Sequence, residues 1–378
     1  MGNSNAAQYK MTRNVVILGG NYAGITAAKI FLDTVIPRSG PDSFNVTLIS
    51  SSSHSYFNIG APRLIVEPEY LKDTIFPVKD SFRKYPQSQF LFAHGTVTAV
   101  DLNSRNLIVD DHTTISFDIL VIATGARTED ASFKLATTHE ASLEAVKKLN
   151  ESTKLAKKIA VIGGGPTGVE TAGELKSHYP EKQVILYTGA SQPLDGLANL
   201  GYHAAKKLDA LGVRIVNGLR VESTKVVSGQ TVLRLSDGST TTVDAVVPAG
   251  GLTANSDYLP QSVLDEQGFV ITDEFLRVKG YEFVYALGDI VSGISKTTVD
   301  LKYVQVSTIA STVLHDLVDN STKLVAHANP SSLTIAVPIS MSGGVGVFKG
   351  WGIPNFLVRQ AKSKDFMISK AGQFLGVE

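Results

Sequence analysis

The sequence predicts an α/β protein with two doubly wound parallel sheets and a small α+β domain at its C-terminal end. Short apolar runs alternate with helical periodicity over most of the 378 residues, which is typical of parallel sheets covered by helices on both faces. The order of strand, glycine turn, helix and strand also occurs twice, with turns that start at Gly19 and Gly163. This repetition predicts two structurally related domains.

The individual elements follow from the spacing of the apolar residues. Strands are expected at 15–18, 45–49, 89–92, 119–122, 158–162, 183–187, 213–216, 232–235, 243–247 and 284–287. Helices are expected at 24–32, 168–177 and 200–211. Alternating polar stretches over 96–117 and 221–243 predict antiparallel excursions from the two parallel sheets.

Turn residues that follow buried strands, at 126–130 and 250–257, predict the domain boundaries. The first domain is expected to comprise residues 1–127 and 256–318, and the second domain residues 128–255. The C-terminal domain is expected at 319–378. It contains strand-like runs at 335–339 and 345–348, followed by an apolar and basic segment at 356–370.

Composition excludes several classes of function. Lys+Arg and Asp+Glu balance at 35 each, so no global field attracts nucleic acid or anionic lipid. No apolar run approaches the roughly 18 residues of a membrane span, and the polar start before Val15 does not resemble a secretory signal. The chain has no cysteine, so it supplies no thiol redox centre. Its eight scattered histidines do not predict a metal site.

The two glycine turns have the spacing of dinucleotide-binding fingerprints. In such turns the first glycine permits a tight bend, the second lets backbone amides approach a pyrophosphate, and the third lets the helix pack on the strand. The N-terminus of that helix then faces the phosphates. The two segments are Gly19-Gly20-Asn21-Tyr22-Ala23-Gly24 and Gly163-Gly164-Gly165-Pro166-Thr167-Gly168. The second is complete, whereas the first has Asn21 at the middle glycine position.

Two more segments complete a recognisable set: the run 117–126, which ends in Ala123-Thr124-Gly125, and the run 284–289, which ends in Gly288-Asp289. With the glycine turns, they resemble the signatures of the two-dinucleotide-binding flavoprotein superfamily. The resemblance implies FAD and NADH or NADPH as cofactors. It also implies that the Thr124 turn closes the first nucleotide half and that Asp289 binds the ribityl chain of FAD.

Within that superfamily the chain most resembles the apoptosis-inducing-factor-like branch of the ferroptosis-suppressor type, including fungal homologues, and it is similar to the type II NADH dehydrogenases. The segments that carry the likeness are 61–67, 95–97, 163–170, 284–289 and the tail 358–370. For FAD, the fingerprint and the resemblance together imply Gly19, Gly20, Asn21, Tyr22, Ala23, Gly24, Arg63, Val97, Thr124, Gly125, Asp289 and Lys302. For NADH or NADPH they imply Gly163, Gly165, Thr167, Gly168, Glu170 and Gly250.

The resemblance places Glu170 near the nicotinamide carboxamide, which makes it the catalytic candidate, and Arg63 near the pyrophosphate or flavin. Lys302 precedes an apolar run expected to form a helix whose start faces the flavin pyrimidine. The strand that follows each fingerprint does not end in the acid that commonly binds a ribose hydroxyl. The residues at these two positions are Ser50 and Thr188. No Lys or Arg occurs from 187 to 205, so we expect a mild preference for NADH.

The expected function is an FAD-dependent oxidoreductase that moves hydride from NAD(P)H to FAD and electrons to a quinone-like acceptor or oxygen. A cell-death role is implied by resemblance alone. One alternative is a reductase that serves a protein partner. Another is a flavin-binding, pro-apoptotic signalling or DNA-associating protein with incidental turnover. The sequence leaves the acceptor and the oligomeric state open.

A basic C-terminal run has three interpretations: a DNA contact, a solvated face, or peripheral contact with an anionic membrane. Its members are Lys349, Arg359, Lys362, Lys364 and Lys370. The resemblance implies a mitochondrion-associated or cytoplasmic protein, peripheral and not transmembrane, with nuclear relocation as a further family property. The start Met1-Gly2 partly matches a myristoylation signal, but Ala6 stands where Ser or Thr is required.

Overall fold

A computed structural model describes residues 12–40, 43–197, 200–328, 335–348 and 351–377. The start at Met1 and Gly2, with Ala6, lies outside these residues, as does Lys349 of the basic run. Among the described residues, no helix is long and apolar enough to cross a membrane. The same residues contain no cluster of three or more His, Asp or Glu side chains suited to a metal ion.

The strands are numbered along the chain. They are β1 Arg13–Leu18, β2 Phe44–Ser50, β3 His54–Tyr56, β4 Ile75–Pro77, β5 Phe90–His94, β6 Val97–Asp101, β7 Asn106–Val109, β8 Thr113–Ser116, β9 Ile119–Ile122, β10 Ala126–Arg127, β11 Lys158–Ile162, β12 Gln183–Tyr187, β13 Arg214–Val216, β14 Val221–Val227, β15 Gln230–Leu235, β16 Thr240–Val243, β17 Ala245–Pro248, β18 Thr253–Ala254, β19 Val284–Ala286, β20 Ile335–Ser340, β21 Gly343–Phe348 and β22 Trp351–Gly352.

The α-helices are α1 Tyr22–Ile30, α2 Ile36–Ser39, α3 Ala61–Leu64, α4 His139–Leu155, α5 Pro166–His178, α6 Leu200–Leu211, α7 Thr298–Asp300, α8 Val306–Leu317, α9 Asn355–Val358 and α10 Ala371–Phe374. Three π-helical turns continue α1, α7 and α9, at Phe31–Val35, Leu301–Gln305 and Arg359–Ser363.

The chain divides into two compact units. The first unit contains the described residues of 1–53, 78–125 and 254–329. Its centre is a five-stranded sheet in the order β19-β9-β1-β2-β5, with every neighbouring pair parallel. All of β9 and residues 15–18 of β1 are buried, as expected for strands covered by helices on both faces. The antiparallel sheet β6-β7-β8 is the excursion predicted from polar alternation.

The second unit contains the described residues of 54–77, 126–253 and 330–378. Its parallel sheet has the order β13-β12-β11-β17, and the antiparallel sheet β14-β15-β16 matches the second predicted excursion. The C-terminal hairpin β20-β21 also belongs here. Helix α5 packs so closely on this hairpin that a Cβ at Gly173 would overlap the Ile339 carbonyl.

In both parallel sheets, the order in which successive strands are added reverses beside the first strand. In the first unit, β1 lies between β2 and β9, and in the second unit, β11 lies between β12 and β17. This is the doubly wound arrangement, and ligands of such sheets bind beyond the carboxyl ends of the strands at the reversal point. The predicted α/β fold class is therefore confirmed, and each glycine turn follows the first strand of its sheet.

Two expectations about elements were wrong. The run 243–247 forms two strands, β16 and β17, because Asp244 between them accepts hydrogen bonds from the backbone amides of Lys157 and Lys158 at 2.9 and 2.8 Å. The helix expected after Lys302 begins earlier, at Thr298, where the Thr297 hydroxyl caps it.

One segment falls in a different unit from the one expected. Residues 54–77, predicted with the first domain, lie in the second unit, where Ala61 and Ile65 join the apolar core.

Candidate functional site

The first glycine turn is sterically fixed at two positions. Gly19 has a φ of 112°, and a Cβ there would overlap the carbonyl of Ala123 at the end of β9. A Cβ at Gly24 would overlap the Gly19 carbonyl. Both positions therefore require glycine, and the turn places the N-terminus of α1 at the β1/β9 reversal point.

The second turn repeats this geometry. Gly163 has a φ of 126°, and a Cβ there would lie 3.0 Å from Ala249, beside Gly250 at the end of β17. A Cβ at Gly168 would overlap the Gly163 carbonyl. At Gly165 a Cβ would meet nothing within 4 Å. The protein itself does not require glycine there, so this open space at the N-terminus of α5 fits the approach of a pyrophosphate.

The Asn21 departure has a simple structural basis. Asn21 and Gly165 both precede the first residue of their helix, and both have extended backbones, with φ of −114° and −73°. Neither value requires glycine. An asparagine is thus tolerated by the backbone of the first turn, next to Tyr22 and Ala23 of α1.

The residues at the ends of the second strands, Ser50 and Thr188, pack against the glycine turns. A Cβ at Gly20 would lie 2.6 Å from the Ser50 hydroxyl oxygen, and a Cβ at Gly164 would lie 2.8 Å from Thr188 Cβ. Each small second glycine thus accommodates the hydroxyl residue of the neighbouring strand.

Thr124 and Gly125 are held by a cluster within the first unit. The Thr124 hydroxyl donates to the Asn255 carbonyl at 2.8 Å and lies 3.0 Å from the Tyr258 hydroxyl. The Asn255 side-chain amide donates back to the Thr124 carbonyl at 2.9 Å, and its backbone amide donates to the Gly125 carbonyl at 3.1 Å. Burial raises the pKa of Tyr258 well above its ordinary value, so its hydroxyl stays protonated.

The Gly288-Asp289 turn lies against the first fingerprint helix. Gly288 has a φ of 84°, and a Cβ there would be 2.7 Å from Ala23 Cβ. The Gly288 amide donates to Gln305 Oε1 at 2.7 Å, and Gln305 is 1% exposed. The structure thus brings together Gly19, Ala23 and the residue that precedes Asp289.

Gln305 is oriented by a buried carboxylate. Its Nε2 donates to Asp300 Oδ2 at 2.7 Å, and His327 Nε2 lies 3.2 Å from Asp300 Oδ1. A carboxylate only accepts hydrogen bonds, so Asp300 turns the amide oxygen of Gln305 towards Gly288. Residues five apart are about 140° apart on an α-helix. The π-helical turn Leu301–Gln305, whose bonds run from i to i+5, brings both side chains to one face.

The structure also locates the three other residues predicted for FAD. Lys302 is exposed on the π-helical turn, with its Nζ 5.7 Å from the centre of the Tyr303 ring. Val97 is half-buried at the start of β6. Arg63 belongs to the second unit and is 2% exposed. Its guanidinium pairs with Glu174 and donates to the Ser363 carbonyl at 3.3 Å.

Glu170 and Glu174 lie one turn apart on α5, and both carboxyls are buried. Lys362 Nζ is 2.5 Å from Glu170 Oε1. Burial raises the pKa of the Glu170 carboxyl above its usual range, and Lys362 opposes that shift. Burial likewise raises the pKa of Glu174 against the opposing effect of Arg63. The helix that follows the second turn therefore carries two buried carboxyls with an unusual tendency to hold protons.

Sequence reasoning missed the partners that fix these groups. Lys362, assigned to a basic run, is instead the ion-pair partner of Glu170. Gln305 and Asp300 gave no signal, because the π-helical turn that joins them cannot be read from periodicity. The separation of 192 positions between Glu170 and Lys362 likewise left no local pattern.

Comparison with known proteins agrees with the paired turns. Residues 13–308 match the family model described as pyridine nucleotide-disulphide oxidoreductase. The chain is 33% identical to oxidoreductase ptaL of Pestalotiopsis fici, over 94% of this chain and 96% of that protein. The chain belongs to the pyridine nucleotide-disulphide oxidoreductase family. It is an FAD-dependent NAD(P)H oxidoreductase.

Two further comparisons refine the likeness. The chain is 28% identical to ferroptosis suppressor protein 1 of Xenopus laevis, over 96% of both chains. Its fold matches the sulfide:quinone oxidoreductase of Aquifex aeolicus with a TM-score of 0.74 and 15% identity, over 97% of this chain and 93% of the other. The resemblance to the ferroptosis-suppressor type is confirmed. Because this chain has no cysteine, it contributes no disulphide to the chemistry that names the family.

Proposed function

We propose that this enzyme moves hydride from NADH or NADPH to FAD and passes the electrons to a quinone-like acceptor or, as a second outlet, to oxygen. The observation that carries the proposal is the ion pair between half-buried Lys362 and buried Glu170, which lies on the helix that follows the second glycine turn. Reduction of a quinone to a quinol needs two electrons and two protons, whereas NAD(P)H delivers one hydride. One further proton must therefore come from the protein or solvent.

The residues divide the work between the two units. FAD, when bound, supplies the redox chemistry by accepting hydride and releasing electrons to the acceptor. In the first unit, the turns at Gly19, Thr124 and Asp289 bind and orient it. In the second unit, the turn 163–168 binds the pyrophosphate of NAD(P)H, and Glu170 faces the nicotinamide end. Lys362 and Glu170 hold the proton that completes the balance: NAD(P)H, one proton and quinone give NAD(P)⁺ and quinol.

The name of one structural neighbour suggests the acceptor class. The Aquifex aeolicus neighbour is named for a quinone, although that likeness at 15% identity carries only the fold. The names of the ferroptosis-suppressor relatives suggest the cell-death role. The mitochondrion-associated or cytoplasmic location and the nuclear relocation rest on the family resemblance alone, and all of these stay proposals.

Substitution of Lys362 tests the proton role. Lys362→Gln should lower turnover with a water-soluble quinone by about a hundredfold, the scale of general acid–base catalysis. Turnover with ferricyanide, which takes electrons without protons, should stay within about twofold of the wild type. Lys370→Gln, an exposed change in the same segment, is the matched control. An equal loss with both acceptors would show that Lys362 serves the donor and not the acceptor.

We further propose that an aromatic surface of the second unit touches a membrane. Trp351 is 81% exposed and Phe356 is 66% exposed, with Phe348 and Leu357 also exposed nearby in the chain. Arg359 in the following turn is exposed as well. Aromatic side chains with neighbouring cations suit the interface of an anionic bilayer, where lipid quinones reside.

A double substitution tests this contact. Deletion of 357–378 is unsuitable, because it would remove the buried Val358 and Phe366 and the carbonyls that bind Arg63. Trp351→Ser with Phe356→Ser should instead weaken binding to anionic liposomes while activity with a soluble dye is retained. Loss of DNA association with unchanged liposome binding would favour the alternative, a DNA-associating signalling protein with incidental turnover.

A further inference from the structure

The carboxyl end of β12 is the position that commonly distinguishes NADH from NADPH. Proteins that use NADH place an acid there for the ribose 2′-hydroxyl, while those that use NADPH omit the acid and supply an Arg for the 2′-phosphate. This chain has Tyr187 and Thr188 at that point. The Thr188 hydroxyl donates to the Ala190 carbonyl at 2.7 Å, so it is held in place and carries no charge that would repel a phosphate.

The structure brings a cation to this point that the local sequence does not contain. The side-chain stem of Arg220 lies over Gly189, where a Cβ would be 3.0 Å from Arg220 Cγ and 3.9 Å from Cδ. Gly189 has a φ of 66°, and the absence of a side chain there leaves the path for the Arg220 stem. Because β13 is the neighbour of β12, a residue shortly after β13 reaches the same edge.

The backbone of Arg220 is fixed from several directions. The Gly218 amide donates to the Ala190 carbonyl at 2.7 Å, and the Thr188 amide donates to the Val216 carbonyl at 3.0 Å. The Arg220 amide donates to the Ser236 hydroxyl at 3.1 Å, and its carbonyl accepts from the Ser236 amide at 2.9 Å. The exposed Arg220 side chain therefore projects from a backbone that hydrogen bonds already hold in position.

The acidic residues near Arg220 do not form ion pairs with it. Within the described parts of the chain, its guanidinium has no ion-pair partner, and the nearby Glu222 is 3.9 Å from Arg234 instead. Asp195, also on this side of the unit, accepts a hydrogen bond from Ser191. A guanidinium with free donors matches the geometry of a phosphate, which it can bind through two parallel hydrogen bonds.

We propose that Arg220 binds the 2′-phosphate of the adenosine ribose and makes this enzyme prefer NADPH to NADH. This proposal rests on the assignment of the dinucleotide to the turn Gly163–Gly168. It reverses the mild NADH preference expected from the sequence, because the cation comes from beyond β13 and not from the residues that directly follow β12.

Binding measurements on the purified full chain test the proposal without turnover. The probes are NADP⁺, NAD⁺, 2′,5′-ADP and 5′-AMP, none of which donates hydride to FAD, with affinities from titration calorimetry. The wild type should bind NADP⁺ and 2′,5′-ADP about tenfold to a hundredfold more tightly than NAD⁺ and 5′-AMP, the range of a charge-assisted phosphate contact. Arg220→Gln should remove this difference by weakening the binding of the phosphorylated ligands, and added salt should narrow the difference in the wild type.

Arg234→Gln is the matched control, because it removes the same charge from an exposed residue of the neighbouring sheet. It should keep the preference for the phosphorylated ligands. Equal affinities of the wild type for NADP⁺ and NAD⁺, or an equal loss of both in Arg220→Gln, would overturn the role of Arg220. A wild type that binds none of the four probes would instead refute the dinucleotide site itself.

Discussion

Replacement of Gln305 by methionine removes the acceptor of the Gly288 amide while nearly preserving the side-chain volume. The 2.7 Å bond from Gly288 to Gln305 Oε1 is buried, and an amide left buried without a partner costs about 1–3 kcal/mol. The free protein can relax by turning Gly288 towards water. The proposed binding of FAD through Asp289 requires the turn to be restored, so the cost should appear as an FAD Kd that rises about tenfold to a hundredfold.

The assay is FAD titration of the apoprotein, followed by the quenching of flavin fluorescence. Tyr285→Phe is the control, since Tyr285 lies on β19 just before the Gly288 turn. The change removes its 3.0 Å bond to Asp316 of α8 without touching that turn. That variant should lose thermal stability and keep its FAD affinity. An unchanged Kd in Gln305→Met would show that the bond from Gly288 to Gln305 does not support FAD binding.

Exchange of the amide and the carboxylate between positions 305 and 300 distinguishes the effect of the hydrogen bonds from the effect of side-chain packing. Gln305→Glu alone sets a carboxylate against the buried Asp300 carboxylate, and FAD affinity should fall. Added Asp300→Asn gives an amide that donates to the new carboxylate, whose other oxygen still accepts from Gly288. The double variant should therefore recover much of the lost affinity, and failure to recover would mean that the amide orientation is not what holds the turn.

Asp289→Ala should yield protein with little bound flavin, and normal flavin content would contradict the ribityl assignment. The new methyl group of Gly165→Ala would meet no protein atom within 4 Å, so the variant should fold and retain FAD. Its flavin should be bleached more slowly by NAD(P)H, and an unchanged bleaching rate would mean that NAD(P)H binds elsewhere. Burial raises the folded-state pKa of Glu174 above 4.5, so its contribution to stability is full below about pH 4.5 and is lost as pH rises through the raised pKa. As pH rises through this range, the thermal unfolding midpoint of Glu174→Gln should fall less than that of the wild type. Midpoints of the two proteins that change in parallel with pH would exclude this linkage.

Much of the architecture could be read from periodicity and glycine spacing. Buried parallel strands such as β1 and β11 are nearly continuous apolar runs, and the last glycine of each turn after them is required by a contact five positions away. Gly168 illustrates this, because its clash partner is Gly163, five positions away. Such local constraints leave a pattern in the sequence.

The contacts that tune the sites could not be read in this way. Lys362 meets Glu170, and Arg220 meets Gly189, only because the second unit assembles distant segments. Asp300 meets Gln305 because a π-helical turn alters the helical register. The Asp244 break also escaped periodicity, since the residues around it are apolar on both sides while its own carboxylate binds the backbone of β11 and the preceding Lys157.

The absorption spectrum of the purified protein, recorded before and after anaerobic addition of NADPH, shows whether the chain binds FAD and reduces it with the nucleotide. We expect a yellow protein with flavin absorbance that bleaches on addition of NADPH and returns when a soluble quinone is added. Protein that is colourless and takes up no FAD would contradict this expectation, as would bound flavin that neither NADPH nor NADH reduces.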